Sequence, residues 1–113
     1  MTATDFIELV QNRVSWIRRA EAALSIYDAF VMPISPVIAP SVAEVIATDE
    51  SYGRLNLAIL RNSTTVNFMD GCGLSIPCQQ EGEAPVGLML AGTAMSDRKI
   101  LSLGVSVEEC LKA

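Results

Sequence analysis

The sequence predicts a small α/β fold: a small mixed sheet of about three strands packed with about three helices. Three observations carry that expectation. Residues 4–26 and 97–111 repeat apolar side chains at three- and four-residue steps, the period of a helix with one buried face. Between them lie short apolar runs closed by proline, Ala29-Phe30-Val31-Met32 before Pro33 and Leu74-Ser75-Ile76 before Pro77, which suit strands covered on both faces. The length of 113 residues fits one domain, residues 1–113.

In chain order, the first helix places Phe6, Leu9, Val10, Ile17, Ala20, Leu24 and Tyr27 on one stripe, with Thr4 as its cap and Trp16 as an anchor beside the stripe. A strand over residues 29–32 follows. Pro33, Pro36 and Pro40 then forbid a regular helix or central strand, so residues 33–48 are expected to be an extended loop. Asp49 to Gly53 reads as a polar turn. Residues 54–69 read as a helix weakened late by Ser63, Thr64, Thr65 and Val66, and broken at Asp70-Gly71. Leu74–Ile76 and Val86–Ala91 read as a hairpin with a long polar turn between them. The last helix starts at Ser96-Asp97 and puts Ile100, Leu103, Gly104, Val107 and Leu111 on one face, widened by Leu101 and Val105. A three-stranded sheet has two edges, and Val86–Ala91 is too apolar to stand uncovered at one of them.

Composition narrows the function. The chain is 50% hydrophobic and only 19% charged, against about 25% charged in an ordinary domain. A short chain has proportionally more surface, so this excess predicts a face that meets another protein surface. Net charge is -5 and no basic run extends beyond Arg18-Arg19, which disfavours nucleic acid. No apolar run is long enough to span a membrane, and the first residues do not read as a secretory signal. Three cysteines, Cys72, Cys78 and Cys110, give no disulfide framework, so a reducing, cytoplasmic setting is expected. With no histidine and no further thiolates, a metal site is disfavoured, and no cofactor is expected. The cysteines lack a partner base and read as inert thiols.

Two segments resemble a known family. Tyr27-Asp28-Ala29-Phe30-Val31-Met32-Pro33-Ile34-Ser35-Pro36 is similar to a strand-plus-proline element of the amidase signature family. The stretch from Leu60-Arg61-Asn62-Ser63 through Asn67-Phe68-Met69-Asp70-Gly71-Cys72 and Leu74-Ser75-Ile76-Pro77-Cys78 to Pro85-Val86-Gly87-Leu88 is similar to that family's closing pattern. The resemblance covers nearly the whole chain and implies the C-terminal portion of an amidase. It implies a parent activity of amide C–N bond hydrolysis or amidotransfer, run by a serine nucleophile, a bridging serine and a lysine. Those residues have no counterpart here. The sequence holds no adjacent serine pair, and its lysines are Lys99 and Lys112, both in the last helix. A nucleophilic hydroxyl needs an adjacent base, and a lysine base must be desolvated. No catalytic residue is therefore assigned, and the chain is expected to be inactive alone.

The resemblance places Arg61, Asn62, Asn67 and Asp70 beside the substrate cleft. Asn67 and Asp70 are spaced to share a helix face, and Arg61 suits a carboxylate. The competing reading is structural: Asn and Asp before a glycine serve the helix end and the turn. The alternative function is a self-standing binding or assembly module, or a trans-complementing subunit of a split amidase. A homo-oligomer, most simply a dimer, or the missing amidase portion is expected to cover the apolar surface.

Overall fold

A computed structural model describes residues 1–112. The described residues form four helices and three strands: α1 (Ala3–Leu24), β1 (Phe30–Pro33), α2 (Val42–Val45), α3 (Asp49–Phe68), β2 (Cys72–Pro77), β3 (Gly87–Gly92) and α4 (Asp97–Lys112). This is the small α/β architecture that the sequence predicts. Its strands lie in the order β1-β3-β2, and both pairings are antiparallel. The β2–β3 hairpin forms as expected, with Cys72 opposite Gly92 and Pro77 opposite Gly87. The apolar strand β3 does not sit at an edge. It occupies the centre, where ladders on both sides satisfy its backbone and helices cover its two faces.

Alternation along β3 divides the core in two. Met89 and Ala91 face α3, where Val66 packs with Phe30, Met32 and Ile34. Leu90 faces α4, where Ile100 and Ile76 close a second cluster with Leu74, Leu103 and Val107. On α4, Ile100 and Gly104 are buried, and Leu103 and Val107 are half-buried, as the periodicity predicts. Leu101, Val105 and Leu111 instead point to solvent, so the buried stripe is narrower than the apolar one. Gly104 lies against Leu74, and a Cβ there would run into that side chain.

Three local readings change. The cap of α1 is Thr2, whose side chain accepts from the Asp5 amide, so the helix begins earlier than Thr4 would allow. The proline-rich loop contains one helical turn, α2, because Ser41 and Glu44 form a capping box just after the last proline. Asp49–Gly53 is the first turn of α3 and not a separate turn. Thr48 caps it by accepting from the Ser51 amide, and Asp49 and Glu50 lie at the positive end of the helix.

At the start of α1, Asp5 accepts from the Thr2 backbone N–H at 2.6 Å. That bond first, and the Thr2 hydroxyl second, hold the Asp5 carboxyl below its ordinary value. A depressed carboxyl contributes stability above its unfolded-state value and loses it as pH falls through the folded value. The first turn of α1 is therefore expected to fray on acidification below the ordinary carboxylate range, seen as a loss of circular dichroism at 222 nm. Asp5→Asn should remove that pH dependence. An unchanged acid profile in the variant would contradict the role of the box.

The molecule is a slab of 51 × 43 × 17 Å with a radius of gyration of 17.0 Å. A compact chain of this length has a radius near 13 Å, by the usual scaling, about 4 Å less. The accessible surface is 8293 Å². A folded monomer of this mass ordinarily exposes about 6,000 Å², so the excess is about 2,300 Å². Part of the exposed apolar surface lies on α1. None of its residues is buried, and Phe6, Ile7, Leu9, Val10 and Val14 are each about half exposed.

Candidate functional site

The C-terminal end of α3 is where four of the sequence-singled residues lie, and its backbone explains their placement. Met69 caps the helix, Asp70 takes a left-handed conformation with φ 55°, and the chain turns into β2. The Gly71 N–H bonds to the Val66 carbonyl at 3.0 Å and the Asp70 N–H to the Asn67 carbonyl at 3.1 Å. Those two bonds define a Schellman cap. It satisfies carbonyls that the helix end leaves orphaned.

The side chains do not converge. The Asn62 side-chain amide donates to the Pro33 carbonyl at 2.8 Å and so ties α3 to the end of β1. The Asp70 carboxylate accepts from the Arg13 guanidinium of α1 in a short ion pair. Arg61 and Asn67 are exposed, and neither side chain makes a hydrogen bond among the described residues. At 100° per residue they stand about 120° apart around the helix, so they do not face one ligand. The structure thus brings Asp70 to Arg13 and Asn62 to Pro33, while Arg61 and Asn67 stand apart from both.

Arg13 is the residue that sequence reasoning passed over. Its Nε donates to the Phe68 carbonyl at 2.9 Å. Its guanidinium lies 5.2 Å from the Phe68 ring centroid, and Trp16 sits 5.3 Å from the same ring. Arginine over an aromatic face is attractive, and the ring pair adds apolar contact. This latch holds α1 to the α3 end. Its signal was present in the sequence: the apolar stripe runs Phe6, Val10, position 13, Ile17, and a basic residue fills the gap.

A recess of about 260 Å³ opens between the end of α1, the start of β1 and the β3–α4 turn. Lys99 and Asp28 pair across its mouth at 3.0 Å. Both side chains are largely exposed, so the pair contributes less than about 1 kcal/mol. Beside it, the Ser96 hydroxyl donates to the Thr93 carbonyl at 2.6 Å, and the Cys72 thiol lies 3.2 Å from Ser96 Oγ. These contacts fasten β2 to the turn. The thiol's partners are a hydroxyl and a carbonyl, neither of which is a base, so the arrangement offers no activated nucleophile. Lys99 sits at the surface, paired with Asp28, and lacks the desolvated setting that a lysine base in amide chemistry requires. Lys112 pairs with Glu108 at 2.8 Å one helical turn away. Among the described residues, no group of three or more Cys, Asp or Glu is gathered to hold a metal ion.

Comparison with known proteins places this architecture. A family model described as Amidase matches residues 1–101, and the chain belongs to that family. It is 28% identical over 82 residues to a 2-amino-5-chloromuconic acid deaminase of Comamonas testosteroni, covering 72% of this chain and 18% of that protein. It is 28% identical over 86 residues to one component of the glutamyl-tRNA(Gln) amidotransferase of Sulfolobus acidocaldarius, covering 76% of this chain and 17% of that one. The chain spans less than a fifth of the length of these relatives. No solved structure matches it significantly. No helix among the described residues is long and apolar enough to cross a membrane.

Proposed function

We propose that these residues serve amide C–N bond hydrolysis or amidotransfer as a scaffold of the amidase body and supply no catalytic group to it. The observation that carries this reading is the Amidase match over residues 1–101 in a chain whose lysines both sit in surface ion pairs. The flat shape and surplus surface support it, because a piece of a larger fold exposes the faces that its neighbours cover. In this reading the serine and lysine machinery lies on polypeptide other than these residues. Three free thiols suit a reducing, cytoplasmic setting.

The test is an assay of the purified chain on simple primary amides, alone and after co-expression with an amidase portion that carries the serine and lysine residues. No turnover alone, and turnover on co-expression, is the expected result. Turnover by the chain alone that survives repurification and disappears in Lys99→Met would overturn the proposal.

A further inference from the structure

The hydrogen-bond pattern decides which main-chain groups of the sheet are free. The Ile34 N–H donates to the Gly87 carbonyl at 2.8 Å, and the Cys78 N–H to the Val86 carbonyl at 3.0 Å. In an antiparallel ladder, residues that bond to the neighbouring strand alternate with residues whose N–H and C=O point away from it. In this register Phe30 and Met32 bond to β3, while Val31 and Pro33 face outward. On the other side Cys72, Leu74 and Ile76 bond to β3, while Gly73, Ser75 and Pro77 face outward.

The two outer edges differ. β1 has four residues and ends on Pro33, which has no N–H. The Pro33 carbonyl already accepts from the Asn62 side-chain amide, so within β1 Val31 alone keeps a free donor and acceptor. A short strand closed by proline is one way a protein ends a sheet. β2 has six residues, an unbroken register and no charged side chain. Gly73 and Ser75 are exposed, and no hydrogen bond among the described residues takes their main-chain groups or the Pro77 carbonyl. The N–H groups of Gly73 and Ser75 and the carbonyls of Gly73, Ser75 and Pro77 thus form an unguarded row, which is a template for an extended segment.

We propose that a strand of the amidase body adds to the outer edge of β2, so that the sheet continues past β2 and ends at β1. The inference rests on the reading of the chain as a scaffold, and it adds where the scaffold joins. Two observations favour that body over a second copy. The chain belongs to the amidase family and spans less than a fifth of the length of its relatives, so most of an amidase fold lies outside these residues. Pairing of β2 with its own copy about a two-fold axis also leaves a carbonyl of each edge unmet. With Gly73 opposite Ser75 it is that of Pro77, and with Ser75 opposite itself it is that of Gly73, because Pro77 has no N–H to give. A strand of different sequence meets the whole row. Its side chains are expected to be apolar on the α4 side, where they continue Leu74 and Ile76.

The experiment follows hydrogen exchange at single amides of the isotope-labelled chain by nuclear magnetic resonance. The chain is measured alone and with the Comamonas testosteroni deaminase from which the segment matching this chain has been removed. In the chain alone, Gly73 and Ser75 should exchange fast, and Leu74 and Ile76, bonded to β3, should exchange slowly. In the complex Gly73 and Ser75 should slow by about tenfold or more, and Val31 should not change. Ser75→Pro removes an outward N–H and no bond of the described sheet, and it should abolish co-purification with the deaminase body. Val31→Pro, the same change on the other edge, should leave co-purification intact. The exchange measurement needs no substitution, so it decides the matter where a proline unfolds the chain. No complex, a complex that leaves Gly73 and Ser75 exchanging fast, or one that protects Val31 in their place would overturn the proposal. So would protection of the two amides in the chain alone with a species of twice its mass, which would give the edge to a second copy. Restored amide turnover with both amides still exchanging fast would sink the edge assignment and leave the scaffold reading standing. Turnover by the chain alone would do the reverse.

Discussion

Ile100→Ala is expected to lower the unfolding free energy by about 3 kcal/mol, within the range of about 2–5 kcal/mol for truncating a buried aliphatic side chain. Ile100 is 2% exposed, the bulkiest of the fully buried side chains described. It joins α4 to Leu90 of the central strand and Ile76 of the neighbouring one, so its loss empties the middle of the α4 side. In a domain whose total stability is of order 5–15 kcal/mol, that is a large share. The flat slab has little other material to collapse into the gap, which favours a cost in the middle of the range or above. Urea unfolding should show a lower midpoint at unchanged slope. Leu101→Ala, one residue along and exposed, should stay within about 0.5 kcal/mol of the parent. Equal effects from the two would refute the assignment of the α4 face.

Gly71→Ala should be comparably severe, at about 3 kcal/mol, the upper end for forcing extra volume into a packed site. A Cβ at Gly71 would collide with the Gly92 carbonyl oxygen, which is main chain of the central strand and cannot rotate away. The same residue donates the Schellman bond to Val66, so any shift that relieves the collision loosens the cap of α3. Gly53, inside α3 with open space for 4 Å around the place a Cβ would take, is the internal control. Gly53→Ala should stabilise the chain by about 0.5–1 kcal/mol through helix propensity alone. Opposite signs for two identical substitutions, measured by thermal unfolding, would separate close approach from backbone freedom. A neutral Gly71→Ala would sink the packing argument.

The sequence made the elements legible where one periodicity dominates. The buried stripe of α4, the β2–β3 hairpin and the end of α3 at Asp70 all follow from local pattern. The errors fall where a short-range side-chain bond outweighs composition. Ser41 with Glu44 makes a helical turn just after three prolines, and Thr48 turns Asp49–Gly53 into a helix start. Strand order was not legible, because an apolar strand reads the same at the centre of a sheet as at a covered edge. For the candidate site, the polar group on the α3 end was visible, but its partners were not. Asn62 meets Pro33, 29 residues away, and Asp70 meets Arg13, 57 residues away. Contacts at such separations are set by the tertiary arrangement, and no spacing rule reaches them.

The latch between α1 and α3 has one more consequence. Trp16 is the single tryptophan of the chain, and it sits against Phe68 beside the Arg13 guanidinium. The indole emission of the whole protein therefore comes from one place, the seat of α1. Core unfolding and release of α1 need not coincide in this architecture, since α1 contributes no buried residue. Fluorescence follows the second while far-ultraviolet dichroism follows both, so comparing the two optical signals during denaturation measures how far the first helix is a part of the fold and how far a passenger on it.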